Sequence, residues 1–212
     1  MNATNEHDTA QPLAAILGQF PPSERADGST PPPFDIGAYL TAQRLARFKE
    51  LCPAEFRKPI DRALVANPAA WDEADAWNGA HPGLWLWSHE TGRGKSRMAW
   101  RQFGRGHVRH GKFTIKASGQ SLCEDYFAAH MDGEPRAFYK RVLRADLLII
   151  DDLDKAEWNE RNKRTVRELF DELYAHQKAV IVTANEPIAW FADVIGPSCV
   201  RRMAEVCREI SF

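Results

Sequence analysis

The stretch "GLWLWSHETGRGKSRMAW", residues 83–100, decides how this chain folds. "LWLWS" (84–88) is a short apolar run, a strand candidate, and "KSRMAWRQFGR" (95–105) has helical spacing, with Ala99, Trp100 and Phe103 on one face. The turn between them comes close to the phosphate-loop pattern G-x-x-x-x-G-K-[ST]. Gly94, Lys95 and Ser96 fit its end, but His89 stands where the first glycine belongs. A strand before and a helix after is the setting this pattern requires. Gly92 and Gly94 let the backbone curl so that its N–H groups face inward around phosphate oxygens. Lys95 would reach the β- and γ-phosphates, the Ser96 hydroxyl would ligate Mg2+, and the new helix adds the positive end of its dipole. The candidate ATP-binding residues are therefore Thr91, Gly92, Arg93, Gly94, Lys95, Ser96 and Arg97. Taken alone, so degenerate a match also arises by chance.

Working outward, strands and helices alternate. "KFTIKAS" (112–118) is a strand candidate, followed by the helix candidates "SLCEDYFAAH" and "PRAFYKRVLRA". "DLLIIDD" (146–152) is a nearly continuous apolar run ending in acid, as expected of a central parallel strand buried on both faces. "WNERNKRTVRELFDELYAHQ" (158–177) carries the stripe Val166, Leu169, Phe170, Leu173, and "AVIVTAN" (179–185) is a further buried strand. Two short helices and "REISF" close the chain. The alternation predicts an α/β fold with a parallel five-stranded sheet and helices on both faces.

Two more features give the glycine loop a chemical setting. The acid pair lies about 55 residues after the loop, at the C-terminal end of a buried strand, where such folds hold Mg2+ beside phosphates. Asp151 is the metal-side acid, and Asp152 would orient or deprotonate an attacking water. The plainer alternative is that the two acids only end a strand. Asn185 tips the next strand, with Thr183 behind it, and would lie beside the γ-phosphate unless it merely starts the turn "NEP". In "VRRMAEVCREISF", Val200, Met203 and Val206 share a helical face, so Arg201 and Arg202 point off the core. An arginine there could serve a neighbouring subunit's nucleotide, or could be simple solvated surface.

The chain has 212 residues, 44% of them hydrophobic, and a formal net charge of -1. That composition supports one sizeable core and excludes a polybasic protein, so nucleic-acid binding would need a local patch. No apolar run approaches a membrane span, and the polar N-terminus does not resemble a signal peptide. Cys52, Cys123, Cys199 and Cys207 lack metal or redox spacing, so they read as reduced thiols in a cytoplasmic protein. Residues 1–37 are rich in Pro, Ser, Thr and Asp and read as a disordered tail, with "PLAAILGQF" as a possible docking helix. Residues 38–80 read as a helical extension, broken at Pro53 and Pro59, and a linker. Residues 81–212 read as the nucleotide-binding core.

Together, "GLWLWSHETGRGKSRMAW", "ADLLIIDDLDKAEWNE", "AVIVTANEP" and "VRRMAEVCREISF" resemble the AAA+ ATPases of the DnaC-type helicase-loader clade, which is DnaC/IstB-like. "RFKELCPAEFRKP" resembles the segment these proteins carry before their first strand, so the resemblance spans about residues 47–212. It implies a P-loop NTPase fold that binds ATP and Mg2+, hydrolyses ATP, and forms an ATP-dependent homo-oligomer. The implied partners are a DnaB-type replicative helicase and single-stranded DNA. Lys95 and Ser96 match Walker A, Asp151 and Asp152 Walker B, Asn185 sensor 1, and Arg202 the arginine finger. No helical lid follows the last strand in this sequence. A transposition-regulator ATPase shares these motifs, and His89 leaves room for a non-hydrolysing adaptor.

Three basic tracks are candidates for DNA. Eight Lys or Arg and no acid lie between Arg93 and Lys116, with Arg97, Arg101 and Arg105 on one helical stripe. "FYKRVLR" mixes Phe138 and Tyr139 with Lys140, Arg141 and Arg144, a blend suited to a single strand. Arg161, Arg164 and Arg167 lie among acids at pairing distance and read as a salt-bridged face. His107 and His110 have no evident metal partners and read as surface residues.

Overall fold

The computed structural model describes residues 35–212. The tail expected over 1–37, with its possible docking helix, lies almost wholly outside the described residues. The described residues open with α1 (Ile36–Leu51), the single turn α2 (Ala54–Arg57) and α3 (Pro68–Asp75). Pro53 stands at the α2 N-cap, so the break expected at that proline is real. β1 (Gly83–Trp87) leads to α4 (Lys95–Gly104), whose last turn widens into a π-helical segment over Arg105–Arg109. Then come β2 (Thr114–Ser118), α5 (Gly119–Met131), α6 (Pro135–Arg144) and β3 (Leu147–Asp151). The remainder is α7 (Glu160–Ala175), β4 (Val180–Ala184), α8 (Phe191–Ile195), α9 (Pro197–Val206) and β5 (Cys207–Ser211).

The five strands form one parallel sheet in the order β2-β3-β4-β1-β5. β4 is buried along its whole length, and the first four residues of β3 are buried as well. Each face of the sheet needs its own cover. On one face, Trp85, Leu148, Ile150, Val180 and Val182 pack with α5 to α9. On the other, Leu84, Leu86, Leu147, Ile149 and Ile181 pack with Met98, Ala99 and Phe103 of α4. The α7 stripe expected from spacing is fully inside: Val166, Leu169, Phe170 and Leu173 are all buried. At Gly83 only glycine fits, because an added Cβ would lie 2.0 Å from the Val180 carbonyl oxygen. All four cysteines are free and buried. Among the described residues, no helix is long and apolar enough to cross a membrane.

The stretch expected to be a linker departs from expectation. Residues 68–75 form α3, whose start is capped by Asn67, its Oδ1 accepting from Ala70 N at 3.2 Å. Trp71, Ala74 and Trp77 recur at helical spacing and are buried in the same cluster as α4. The Pro, Asn and Gly around them hid that stripe, because composition marks breakers more loudly than it marks three apolar residues.

The α4 arginine stripe also behaves differently from a solvent-facing track. Arg101 Nε reaches Asp75 Oδ1 at 2.7 Å, and Arg105 reaches the same oxygen at 2.6 Å. Arg97 donates to Lys58 O at 3.2 Å and lies over the Phe56 ring. The stripe faces the extension, where Asp75 and the Lys58 carbonyl accept its hydrogen bonds. Arg101 and Arg105, read from the sequence as DNA candidates, are ion-pair partners of α3 here.

Those two arginines hold the Asp75 carboxyl below its usual value, the Arg101 hydrogen bond first among the causes. A depressed carboxylate stabilises the fold above the unfolded pKa, and that contribution is lost as pH falls through the folded one. Melting temperature followed against pH should therefore drop more steeply in wild type than in Asp75→Asn below about pH 4. Parallel profiles would refute the assignment.

Candidate functional site

The site forms where the C-terminal ends of β1, β3 and β4 meet. The crossover after β1 packs α4 on one face of the sheet and the crossover after β3 packs α7 on the other, so the two connections diverge at the strand ends. Such divergence opens a crevice at the strand ends. The loop leaving β1 uses two left-handed glycines, Gly92 at φ 76 and Gly94 at φ 102. Either position would strain an L-residue with a side chain. A Cβ on Gly94 would also lie 3.3 Å from the Trp71 ring, so α3 supports the loop from beneath. A cleft of about 300 Å³ over the loop is lined by Thr91 to Arg97, Asp152, Lys155, Asn185 and Phe56.

Lys95 is buried, and its ammonium donates to Ser88 O at 2.9 Å, Glu90 O at 3.1 Å and Asn185 Oδ1 at 3.1 Å. Burial pulls its pKa below the ordinary lysine value, against the opposing charges of Asp154 and Asp152. The Ser96 hydroxyl donates to Asp151 Oδ1 at 3.0 Å. Thr183 Oγ1 donates to that oxygen at 2.5 Å and accepts from Asp152 N at 2.9 Å. Burial alone would raise the Asp151 carboxyl, but the Lys116 charge and the bonds from Lys116, Thr183 and Ser96 prevail and hold it low. Asp152 has a left-handed backbone (φ 53) and pairs with Lys155 at 2.7 Å.

Asn185 is fixed by a residue that sequence reasoning passed over. Asp154 accepts from Asn185 N at 3.0 Å and from Asn185 Nδ2 at 2.9 Å. The amide has one sensible orientation, since reversal would aim its oxygen at a carboxylate and its NH2 at an ammonium. Lys116 and Phe56 were likewise missed as site residues. Lys116 reaches Asp151 Oδ2 at 2.7 Å from the neighbouring strand, and only register could have revealed it. Asp154 stands in the sequence as the third acid of "DDLD".

His89 lies 3.5 Å from Glu186 Oε2 and meets the Trp87 ring edge-on. It thus sits between the loop and the turn after Asn185, clear of the bonds that Lys95 makes. Arg202 is ion-paired with Asp171 of α7 in its own chain, while Arg201 is more exposed and lies 3.6 Å from Glu205. Tyr139 is turned inward, its hydroxyl donating to Glu168 at 2.9 Å, and Phe138 is buried. Arg141 pairs with Asp125 at 2.7 Å, leaving Lys140 exposed on α6. The aromatic component of that DNA candidate is therefore core, because Phe138, Tyr139 and Val142 hold α6 against the sheet. Of the arginines read as a salt-bridged face, Arg164 pairs with Glu168 at 2.6 Å, whereas Arg161 lies over the Phe127 ring and Arg167 donates to Ile195 O at 2.8 Å. His107, expected on the surface, is half-buried with Nδ1 3.3 Å from Lys112 O.

The donor set suits a phosphate and a hard divalent ion. Curled backbone and an ammonium sit at a helix start, which favours anions. A hydroxyl and a carboxylate, both oxygen ligands, adjoin them, as Mg2+ prefers. Fold and site together define an AAA+ P-loop protein. The profile described as "IstB-like ATP binding protein" matches residues 85–203, more than half the chain, and the chain belongs to that family. No curated protein matches it in sequence. Among solved structures it is similar to the DnaC helicase loader, at 18% identity over 78% of this chain and 98% of that one, with a TM-score of 0.61. It is also similar to DnaI, at 13% identity, 76% and 94% coverage and a TM-score of 0.58. AMPPCP-bound DnaA from Aquifex aeolicus aligns at 20% identity, 66% and 44% coverage and a TM-score of 0.55. At such identities these structures report the fold, and the family match carries the ATP-binding class.

Proposed function

We propose that this protein hydrolyses ATP and acts as a helicase loader with single-stranded DNA. The observation that carries the reading is one hydrogen-bonded network joining Lys95, Asn185 and Asp154, set beside a second joining Ser96, Asp151 and Thr183. In this reading Lys95 and the amides of Gly92 to Ser96 hold the β- and γ-phosphate oxygens. Ser96 Oγ and the Asp151 carboxylate are the residues that would hold Mg2+. That ion, when bound, neutralises phosphate charge. Asp152 orients water for in-line attack on the γ-phosphorus, and the bond to the ADP oxygen breaks. Asn185, steadied by Asp154, sits where it would sense the γ-phosphate. Arg202 would serve the nucleotide of an adjoining copy in an ATP-dependent homo-oligomer, after exchanging Asp171 for phosphate. Lys140, exposed on α6, is the strongest of the remaining DNA candidates. Residues 38–80 then belong functionally with the core at 81–212, in a cytoplasmic protein.

Phosphate release measured with single-stranded DNA tests the enzyme. Arg202→Ala should lose turnover by roughly 10³-fold while binding ATP as wild type does. Turnover that survives the change would show that Arg202 is only a surface ion-pair residue. A second reading, a transposition regulator, rests on the motifs such ATPases share with the loaders. A pull-down from the native host, with and without ATP, separates the two. A DnaB-type helicase retained with ATP supports the loader, and a transposase retained in its place supports the regulator.

A further inference from the structure

Asp151 is matched by a cation that belongs to the protein. In the β2–β3 register, Lys116 stands opposite Ile149, two residues before Asp151. Its ammonium reaches Asp151 Oδ2 at 2.7 Å, and the two side chains are 15% and 16% exposed. The same ammonium lies 4.7 Å from the Trp100 ring centroid. Trp100 is one helical turn beyond Ser96, so the helix that starts at the phosphate loop also positions Lys116. The other carboxylate oxygen, Oδ1, is taken by the Ser96 and Thr183 hydroxyls. A divalent ion entering between Ser96 and Asp151 meets a carboxylate whose charge is already balanced. Two cations sharing one largely buried carboxylate repel each other, so binding of one weakens the other.

We propose that Lys116 is a positioning residue, the internal counter-ion of Asp151, and that it sets the divalent-ion concentration at which the nucleotide site fills. The inference rests on the ATP and Mg2+ reading above. Its own chemistry, a carboxylate passed between an ammonium and a metal ion, can be measured without nucleotide. The loop lysine cannot take this part, because Lys95 is directed to Ser88, Glu90 and Asn185.

Two measurements on the full chain test it. The first is thermal melting without nucleotide, with and without millimolar Mg2+. Wild type and Lys116→Arg should melt alike in both conditions. Lys116→Met should melt lower without Mg2+ and recover with it, and adding Asp151→Asn should abolish the recovery. The second is the fluorescence of a methylanthraniloyl ATP analogue titrated with Mg2+. Half-saturating Mg2+ should fall roughly tenfold in Lys116→Met, the scale of losing a competing, partly buried charge. It should rise in Lys116→Arg, whose planar fork grips a carboxylate harder. If the methionine variant does not fold, the arginine variant decides through the sign of its shift. Melting of Lys116→Met that ignores Mg2+ overturns the proposal, as does any other order of the half-saturation values. If wild type itself takes up no nucleotide, the ATP reading fails and the melting experiment still decides Lys116.

Discussion

Replacing Lys95 with alanine is expected to bring phosphate release down by roughly two to three orders of magnitude, the usual loss when a charged stabiliser of a transferring phosphoryl group is removed. The argument starts from where the ammonium lies. Lys95 is buried at the head of α4 and donates to three oxygens, two from the β1 loop and one from Asn185. Each of these acceptors is neutral, so the lysine keeps its full charge for a ligand. Burial has already lowered its proton affinity, and the site therefore holds a partly desolvated ammonium. A phosphate arriving there meets a charge that solvent screens weakly. Alanine removes this charge and leaves the Asn185 oxygen without its donor. Release from Lys95→Ala equal to that of wild type would sink the enzyme reading. Loss of turnover with ATP binding retained would point to a role mainly in the transition state.

The second large effect concerns stability. Trp71→Ala should cost about 3–5 kcal/mol, measured by chemical denaturation, the range for deleting a large aromatic from a packed core. Trp71 is only 2% exposed. Its ring packs on the backbone of Gly94 and meets Phe212 edge-on, with centroids 6.3 Å apart. The cavity would open directly beneath the phosphate loop, so nucleotide affinity should weaken along with the fold. A cost below about 1 kcal/mol would mean that the extension closes over the gap, and that α3 is a cover and not a support.

The contrast between these residues explains what was legible in the sequence. Lys95 and Ser96 were readable because a phosphate loop is a local device, its chemistry confined to a few adjacent positions. β3 and β4 were readable for a related reason, since strands buried on both faces are written as unbroken apolar runs. Asp151 and Asn185 followed as the polar residues at the ends of those runs. Lys116 and Phe56 were not readable. Each acts through a partner far away in the chain, and no spacing rule connects Lys116 to Asp151, 35 residues on. Arg101 and Arg105 were readable as a stripe, but the stripe looks the same whether it faces solvent or Asp75. Tyr139 is ambiguous in the same way. A tyrosine beside arginines suggests a binding surface until Glu168 is found waiting for its hydroxyl.

The packing of α3 has a consequence for where this molecule begins and ends as a unit. Similarity to the family runs from residue 85 to residue 203, starting inside one strand and stopping within the last helix. The folded object is wider on both sides. Asn67 donates to Ser211 O at 3.1 Å, and Trp71 touches Phe212, so residues that flank the shared segment close on each other beneath the loop. The family match thus covers the chemistry-bearing middle, and the clasp lies outside its bounds. An excised segment with the boundaries of the similarity would carry the motif without the clasp that holds it still.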